Sequence, residues 1–228
     1  MQENIQKLTN NSQKLTKALL ACGVVFGPLF YLVVLIQMLT RSGFDIRRHP
    51  LSLLSLGDAG WIQITNFIVA GLLAILCAVG MRRLLRGGLG GTWGPLLIGT
   101  YGLGMITAGL FPPDPSLGFP PGAPIPETMS QHAVMHGVGF FVAFISLTAA
   151  CFVYARRFIS LGHRGWGFYC IATGVVTPVL IFLGMTIMSE TSIFFAIVGI
   201  VAFGWIAVIS ARMITELLEK MKLGEGLK

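Results

Sequence analysis

The sequence predicts an all-α membrane protein, a polytopic bundle of six transmembrane helices whose N- and C-termini are both cytoplasmic. Three observations favour this fold class: the mean hydropathy is +0.80, 54% of the residues are hydrophobic, and only 11% are charged. Soluble domains contain about 25% charged residues on average. The composition therefore excludes an ordinary soluble domain and makes the lipid bilayer the main partner of this chain.

Six uncharged stretches are long enough to cross a bilayer, whose hydrocarbon core of about 30 Å requires about 20 apolar residues per helix. The predicted spans are 18–40, 60–81, 91–111, 133–155, 165–188 and 192–211. Their connections are too short for a soluble domain, so residues 18–212 are expected to form one membrane domain. Residues 1–17 are expected to be a loosely ordered cytoplasmic tail, and residues 213–228 a second cytoplasmic tail.

The first span follows Lys7, Lys14 and Lys17, as the apolar region of a signal peptide follows its basic segment. It is longer than the apolar region of about 7–15 residues in signal peptides, and no small-x-small cleavage motif closes it. This pattern predicts a retained transmembrane helix.

The third span is rich in glycine, at positions 91, 94, 99, 102, 104 and 109. Small residues let helix backbones approach closely in lipid, where no hydrophobic effect drives helices together. We expect this helix to lie at the centre of the bundle.

The Lys and Arg residues near the span ends predict the orientation, because basic loops stay on the cytoplasmic side. With a cytoplasmic N-terminus, thirteen of the 16 basic residues lie inside. They are Lys7, Lys14, Lys17, Arg82, Arg83, Arg86, Arg156, Arg157, Arg164, Arg212, Lys220, Lys222 and Lys228. The other three, Arg41, Arg47 and Arg48, share the first outer loop. The net charge of +7 thus indicates a multi-pass plasma-membrane protein with both termini cytoplasmic.

The sequence does not favour nucleic-acid binding, nor a redox or metal-binding role for the cysteines. No basic groove or aromatic stacking motif typical of nucleic-acid binding is present, so no nucleic-acid partner is expected. The four cysteines, at positions 22, 77, 151 and 170, lack CxxC spacing and fall in the inner halves of predicted helices. We expect them to pack as small apolar residues and to form no disulfides.

The second outer loop and the start of the fourth span carry an unusual segment, FPPDPSLGFPPGAPIPETMSQHAVMH, residues 111–136, with seven of the eleven prolines. His132 and His136 are four residues apart and therefore share one face of a helix. The prolines restrict the loop and are expected to hold Asp114 near these histidines. Together with the first outer loop, the segment predicts a polar cluster at the extracytoplasmic mouth of the bundle.

One function that this cluster suggests is that of an outward-facing, metal-dependent membrane hydrolase acting on a lipid or an amide. Two histidines at i and i+4 bind one zinc ion or another divalent metal when a third ligand is close. The candidate third ligand beside His132 and His136 is His49, Asp58 or Asp114. Asp114 and Asp58 are the candidate catalytic acids, one of them accepting a proton from metal-bound water.

Two other functions remain open. A small-molecule transporter or binding protein would use polar side chains near the outer mouth, for which Gln63, Asn66, Ser52 and Ser55 are candidates, to bind a small molecule or a lipid. Alternatively, the polar residues only satisfy loop backbone and helix ends in an accessory protein. The sequence favours a membrane protein of uncharacterised activity over these more specific functions, and it leaves the oligomeric state open.

Three strings, HPLSLLSLGDAGWIQITNFIVAGLL, AGLFPPDP and HAVMHGVGFFVAF, occur in this order across the predicted spans. In this respect the chain resembles a prokaryotic family called domain of unknown function 998. Phe111, Pro112, Asp114 and Pro115 are similar to a Phe-Pro-x-Asp-Pro pattern of that family. The resemblance implies a multi-pass integral membrane protein and implies no particular activity.

Overall fold

The computed structural model describes residues 2–186 and 191–226, and this part of the chain contains six α-helices and no β-strand. The helices are α1 Gln2–Thr40, α2 Gly60–Leu84, α3 Trp93–Leu110, α4 Gln131–Ser160, α5 Arg164–Thr186 and α6 Thr191–Gly226. A short 3-10 helix, Leu51–Ser55, lies between α1 and α2. The predicted all-α helical bundle is confirmed.

Within the described ranges, five helices are long and apolar enough to cross a membrane, namely α1, α2, α4, α5 and α6. Large apolar side chains such as Ile145, Phe168 and Phe182 are exposed on the surface of the bundle. Such a surface is suited to lipid, where the polar backbone groups are satisfied inside each helix. The chain is therefore a polytopic membrane protein, and the bilayer is its surroundings.

Two helices extend beyond the predicted spans. Helix α1 begins at Gln2, so residues 2–17 are helical, whereas the sequence predicted a loosely ordered tail. Arg83 at the end of α2 explains part of this order, because its Nε donates to Thr16 Oγ1 over 3.0 Å and its Nη2 donates to Ser12 Oγ over 2.9 Å. Helix α6 continues to Gly226. Residues 187 and 188, the end of the fifth predicted span, lie outside the described residues.

The six helices form a ring in chain order, in which each helix packs against the next and α6 packs against α1. Helix α3 lies in this ring between α2 and α4, so the prediction that it occupies the centre of the bundle is wrong. The small residues of α3 face both neighbours and form its contacts with α2 and α4. Aromatic side chains fill the centre instead.

Phe203 of α6 joins most of these central aromatic residues. Its ring centroid lies 5.0 Å from those of Phe26 and Phe30 and 6.2 Å from that of Tyr101. Tyr101 also makes an edge contact with Phe144 of α4 at 6.3 Å. Because aromatic edge contacts add to the stabilisation from burial, this group holds α1, α3, α4 and α6 together across the ring.

Glycines bring α2, α3 and α4 into backbone contact. A Cβ atom added to Gly102 would lie 2.6 Å from the Gly71 carbonyl oxygen, and one added to Gly71 would lie 2.5 Å from the Gly102 oxygen. Gly104 and Gly139 have the same reciprocal relation, at 2.6 and 2.8 Å. Side chains at these four positions would push the helices apart. The expected role of the third-span glycines in close packing therefore holds for Gly102 and Gly104.

The two ends of the ring differ in their connections. One end carries the segments 41–59 and 111–130, and we call it the long-loop end. The other carries the segments 85–92 and 161–163, and we call it the short-loop end.

We expect Gly102→Ala and Gly104→Ala to lower the thermal stability of the detergent-purified protein. Each added methyl group would meet a backbone oxygen that cannot rotate away. Overpacking of this kind costs about 1–3 kcal/mol. A thermal unfolding assay measures the effect.

Gly99→Ala is the matched control in the same helix, because its added Cβ would meet only the Ala78 Cβ, at 3.8 Å. A loss of stability in Gly99→Ala as large as in the other two variants would contradict the packing argument.

Candidate functional site

His49 joins the two long loops. It is buried, with 3% of its surface exposed, and its ring lies 5.5 Å from those of both Phe44 and Phe119. Its Nδ1 accepts a hydrogen bond from the Asp45 N–H over 2.9 Å, so its Nε2 carries the proton and donates to the Leu117 carbonyl over 3.1 Å. Both ring nitrogens are therefore engaged by backbone, and neither offers a metal a lone pair without breaking this connection.

Arg41 supports the same pair of loops from the end of α1. Its guanidinium donates to the carbonyl oxygens of Leu54 and Leu56, and lies 5.5 Å from the centre of the Phe119 ring. Burial lowers the pKa of Arg41, and the negative charge of Asp58 acts in the opposite direction. Asp58 is exposed, and its charge acts on the Arg41 guanidinium, while its catalytic role stays a prediction.

Asp114 organises the start of α4. Its Oδ2 accepts a hydrogen bond from the Ser130 N–H over 2.8 Å, and Ser130 Oγ in turn accepts from the Ala133 N–H over 3.1 Å. Ser130 is the N-cap residue of α4. The hydrogen bonds from Ser130 hold the pKa of Asp114 below its usual value, and the nearby His132 adds to this effect. The predicted proximity of Asp114 to the fourth helix is thus a capping arrangement.

The two histidines of α4 have different surroundings. His132 is exposed, and its ring contacts that of Phe111 at 5.4 Å. His136 is partly buried, and its Nδ1 lies 2.9 Å from the Ala108 carbonyl oxygen and 3.0 Å from that of Phe111. Two acceptors at one nitrogen require that Nδ1 carries the proton. In the neutral ring Nε2 is then an acceptor, and it makes no hydrogen bond to the described part of the chain.

The predicted metal site is not assembled in the described ranges. They contain no group of three or more His, Cys, Asp or Glu side chains placed to hold a metal ion. His49 and His136 direct ring nitrogens at backbone, as described above. The structure therefore gives no support to zinc or another divalent metal at His132, His136 and His49, or to a metal-dependent hydrolase.

Gln63 and Asn66 lie together between α1 and α2, and the structure adds Gln37 to them. The Asn66 amide donates to the Phe30 carbonyl over 3.0 Å and to Gln63 Oε1 over 3.2 Å, and Gln37 Nε2 donates to Gln63 Oε1 over 2.8 Å. All three side chains are buried. The signal for Gln37 was available in the sequence, because it is the only amide side chain in the first predicted span.

An apolar cavity of about 300 Å³ lies at the long-loop end of the ring, with His136 in its wall. Ser52 also lines it, whereas the Ser55 hydroxyl is buried in the 3-10 helix without a hydrogen-bond partner in the described part of the chain. Most of the remaining wall is aromatic or aliphatic and includes Phe67, Phe140 and Phe195. We call this space the apolar cavity.

The predicted polar cluster is therefore distributed among several places at the long-loop end. Two of its members, His136 and Ser52, line the apolar cavity. The others stabilise loops, cap α4 or join α1 to α2. Among these places at the long-loop end, and within the described residues, the apolar cavity offers space for a ligand together with a polar group, His136, that has hydrogen-bonding capacity left.

In a comparison with protein families, residues 24–214 match the model of the family described as "Protein of unknown function (DUF998)". No curated protein and no solved structure matches the chain.

We expect Asp114→Ala to lower the thermal stability at neutral pH, because the Ser130 N–H loses its acceptor and the start of α4 loses a favourable negative charge. The folded-state pKa is below the ordinary 3.8. The contribution of Asp114 is therefore complete above the ordinary value and is lost as the pH falls through the lower one. The difference in Tm between the wild type and the variant should shrink on acidification.

Glu127→Ala serves as the control, since Glu127 is an exposed carboxylate in the same loop. An equal loss of stability in this variant, or a difference for Asp114→Ala that does not depend on pH, would show that capping is not the role of Asp114.

Proposed function

The chain belongs to the DUF998 family of proteins of unknown function, so membership supplies no ligand, and we propose from the geometry that the protein binds a small, mainly apolar molecule in the apolar cavity. The observation that carries this proposal is the cavity itself. Its volume of about 300 Å³ is at the lower end of small-molecule sites, which span about 300–1,000 Å³. Such sites combine apolar walls with a few polar groups that orient the ligand.

The polar groups of the wall define the chemistry of the ligand. The Tyr31 hydroxyl donates to the Ala196 carbonyl over 2.7 Å, so its proton is already used. His136 offers Nε2 as an acceptor, and Ser52 offers a hydroxyl group. A ligand with one hydrogen-bond donor, such as a hydroxyl or amide N–H, on an apolar body fits this arrangement.

The surroundings of the cavity favour a ligand that arrives from the bilayer. Two lining residues, Phe141 and Met185, are also exposed on the lipid-facing surface, at 44% and 54%. Pro50, Leu51 and Ser52 of the first long loop line another part of the wall. The ligand class is therefore a lipid-soluble amphiphile, whose apolar part enters between helices and whose polar group reaches His136.

The orientation that accompanies this proposal places the long-loop end on the extracytoplasmic side. All six helices cross the membrane, including α3, which at 18 residues is about 27 Å long. Its neighbours in the ring, α2 and α4, are both long and apolar enough to cross the membrane. Arg82, Arg83 and Arg86 lie near the short-loop end, which supports a cytoplasmic location of that end and of both termini in the plasma membrane.

We expect a long-chain alcohol bearing a photoreactive diazirine to label the wild-type protein more strongly than its methyl ether, because only the alcohol donates to His136 Nε2. One hydrogen bond is worth about 0.5–1.5 kcal/mol, which corresponds to about a two- to tenfold preference. His136→Phe should abolish the preference while keeping an aromatic ring against Phe67. Mass spectrometry of labelled peptides in nanodiscs measures both quantities.

Gly137→Phe is designed to narrow the cavity, since Gly137 lines the wall and an added Cβ there meets nothing within 4 Å. It should reduce labelling by both probes. Gly204→Phe is the matched control, because the space around Gly204 is equally open and Gly204 does not line the cavity. Equal labelling of wild type and Gly137→Phe would refute binding in this cavity.

The orientation predicts that a cysteine at Thr128, an exposed position of the second long loop, reacts with an impermeant thiol reagent added to intact cells. A cysteine at Gly88, which is exposed at the short-loop end, should react only after the cells are permeabilised. Labelling is read by gel shift, with the parent protein as the control for its own cysteines. The reverse pattern would invert the proposed orientation.

A further inference from the structure

A second cavity, of about 560 Å³, lies at the short-loop end and shares no lining residue with the apolar cavity. Its wall consists of the glycine-rich segment 87–93 together with Val153, Arg156 and Arg157 of α4. We call it the basic cavity. It contains no acidic side chain in its described wall, whereas its two arginines carry positive charge at any physiological pH.

The backbone of the glycine-rich segment is suited to an anion. Gly87 and Gly90 have φ angles of +77° and +76°, which turn the chain in a way that other residues rarely adopt. The N–H groups of Gly87, Leu89 and Gly90 make no hydrogen bond to the described part of the chain. The segment leads directly into the N-terminus of α3, whose dipole adds partial positive charge.

Arg157 is the second arginine of the cavity wall. Its side chain is nine-tenths buried, its Nη2 pairs with Glu216 Oε2 at 3.0 Å, and its Nη1 donates to the Leu89 carbonyl over 3.1 Å. Its Nε has no hydrogen-bond partner among the described residues. The bonds to Glu216 and Leu89 hold Arg157 in this position, where its positive charge adds to that of Arg156.

Arg156 supplies the charge that no other group neutralises. It lines the basic cavity, is exposed, and has no acidic or hydrogen-bonding partner in the part of the chain that the structure describes. Glu216, the acid near Arg157, is already shared with Arg212 at 3.8 Å. The cavity therefore presents one paired and one unpaired guanidinium group.

Trp93 places the basic cavity at the depth of lipid headgroups. It lines the cavity, begins α3, and is 64% exposed. Exposed tryptophan side chains of membrane proteins concentrate at the interface between the hydrocarbon core and water. Lipid phosphates lie in this same layer.

We propose that the basic cavity is a binding site for an anionic phosphate group, held by Arg156, by Arg157 and by the N–H groups of the glycine-rich segment. The phosphate belongs either to the headgroup of an anionic lipid or to a soluble phosphate ion, because both offer the same oxygens. The site is independent of ligand binding in the apolar cavity, so either proposal stands if the other fails.

The test compares the wild type with Arg156→Gln, a change at an exposed residue that leaves the Arg157–Glu216 pair intact. Native mass spectrometry of protein in mixed micelles of phosphatidylglycerol and phosphatidylcholine should show preferential retention of phosphatidylglycerol by the wild type. Arg156→Gln should reduce this retention about tenfold, as expected for the loss of one charge-assisted hydrogen bond. Arg164→Gln, which removes an exposed arginine at the same end and outside the cavity wall, should retain the lipid normally.

A second arm distinguishes the source of the phosphate. Inorganic phosphate is added to protein in uncharged detergent, against chloride at equal ionic strength, and the Tm is measured. Stabilisation of the wild type that is lost in Arg156→Gln, without a preference for phosphatidylglycerol, assigns the site to soluble phosphate. If neither probe distinguishes Arg156→Gln from Arg164→Gln, the basic cavity is not a phosphate site.

Discussion

The architecture depends on direct backbone contact between helices at glycine. In lipid, helices are not drawn together by the hydrophobic effect, so they rely on close approach and on the dispersion contacts that it allows. The reciprocal pairs Gly71–Gly102 and Gly104–Gly139 bring α3 against both of its neighbours. This approach also brings the carbonyl groups of Ala108 and Phe111 within hydrogen-bonding distance of His136, so the wall of the apolar cavity follows from the packing of the ring.

The features that the sequence could predict are local ones. The apolar length of each stretch indicates a helix without knowledge of its neighbours, and the small residues of α3 indicate close packing. The position of α3 in the ring was not predictable in this way, because it depends on aromatic residues of other helices, such as Phe203 and Phe26, that fill the centre. The hydrogen-bond partners of the polar residues were also not predictable from the sequence. His49 and Asp114 bind backbone N–H and carbonyl groups, and no pattern of side chains in a sequence shows where those groups lie.

The two ends of the ring have different chemistry, separated by the aromatic centre. At the long-loop end, a mainly aromatic and aliphatic wall with His136 and Ser52 surrounds an apolar space, and the buried amide side chains lie apart from it between α1 and α2. At the short-loop end, arginine side chains dominate, and one of them is buried in an ion pair between α4 and α6. Tyr101, Phe26 and Phe203 lie in the interior and are almost completely buried. A ligand in the apolar cavity is therefore confined to its own end unless these rings move, which is more typical of a binding site than of an open pore.

The closure of the ring between its first and last helices has a consequence for biosynthesis. Helix α6 supplies Phe203 and Trp205 to the interior, and it leaves the ribosome after the other five described helices. Until it arrives, Phe26 and Tyr101 lack the contact with Phe203, and Arg157 has no Glu216 to neutralise it. The partly made protein is thus an open arc with an unpaired charge at the membrane surface. Insertion of α6 therefore both closes the ring and neutralises this charge.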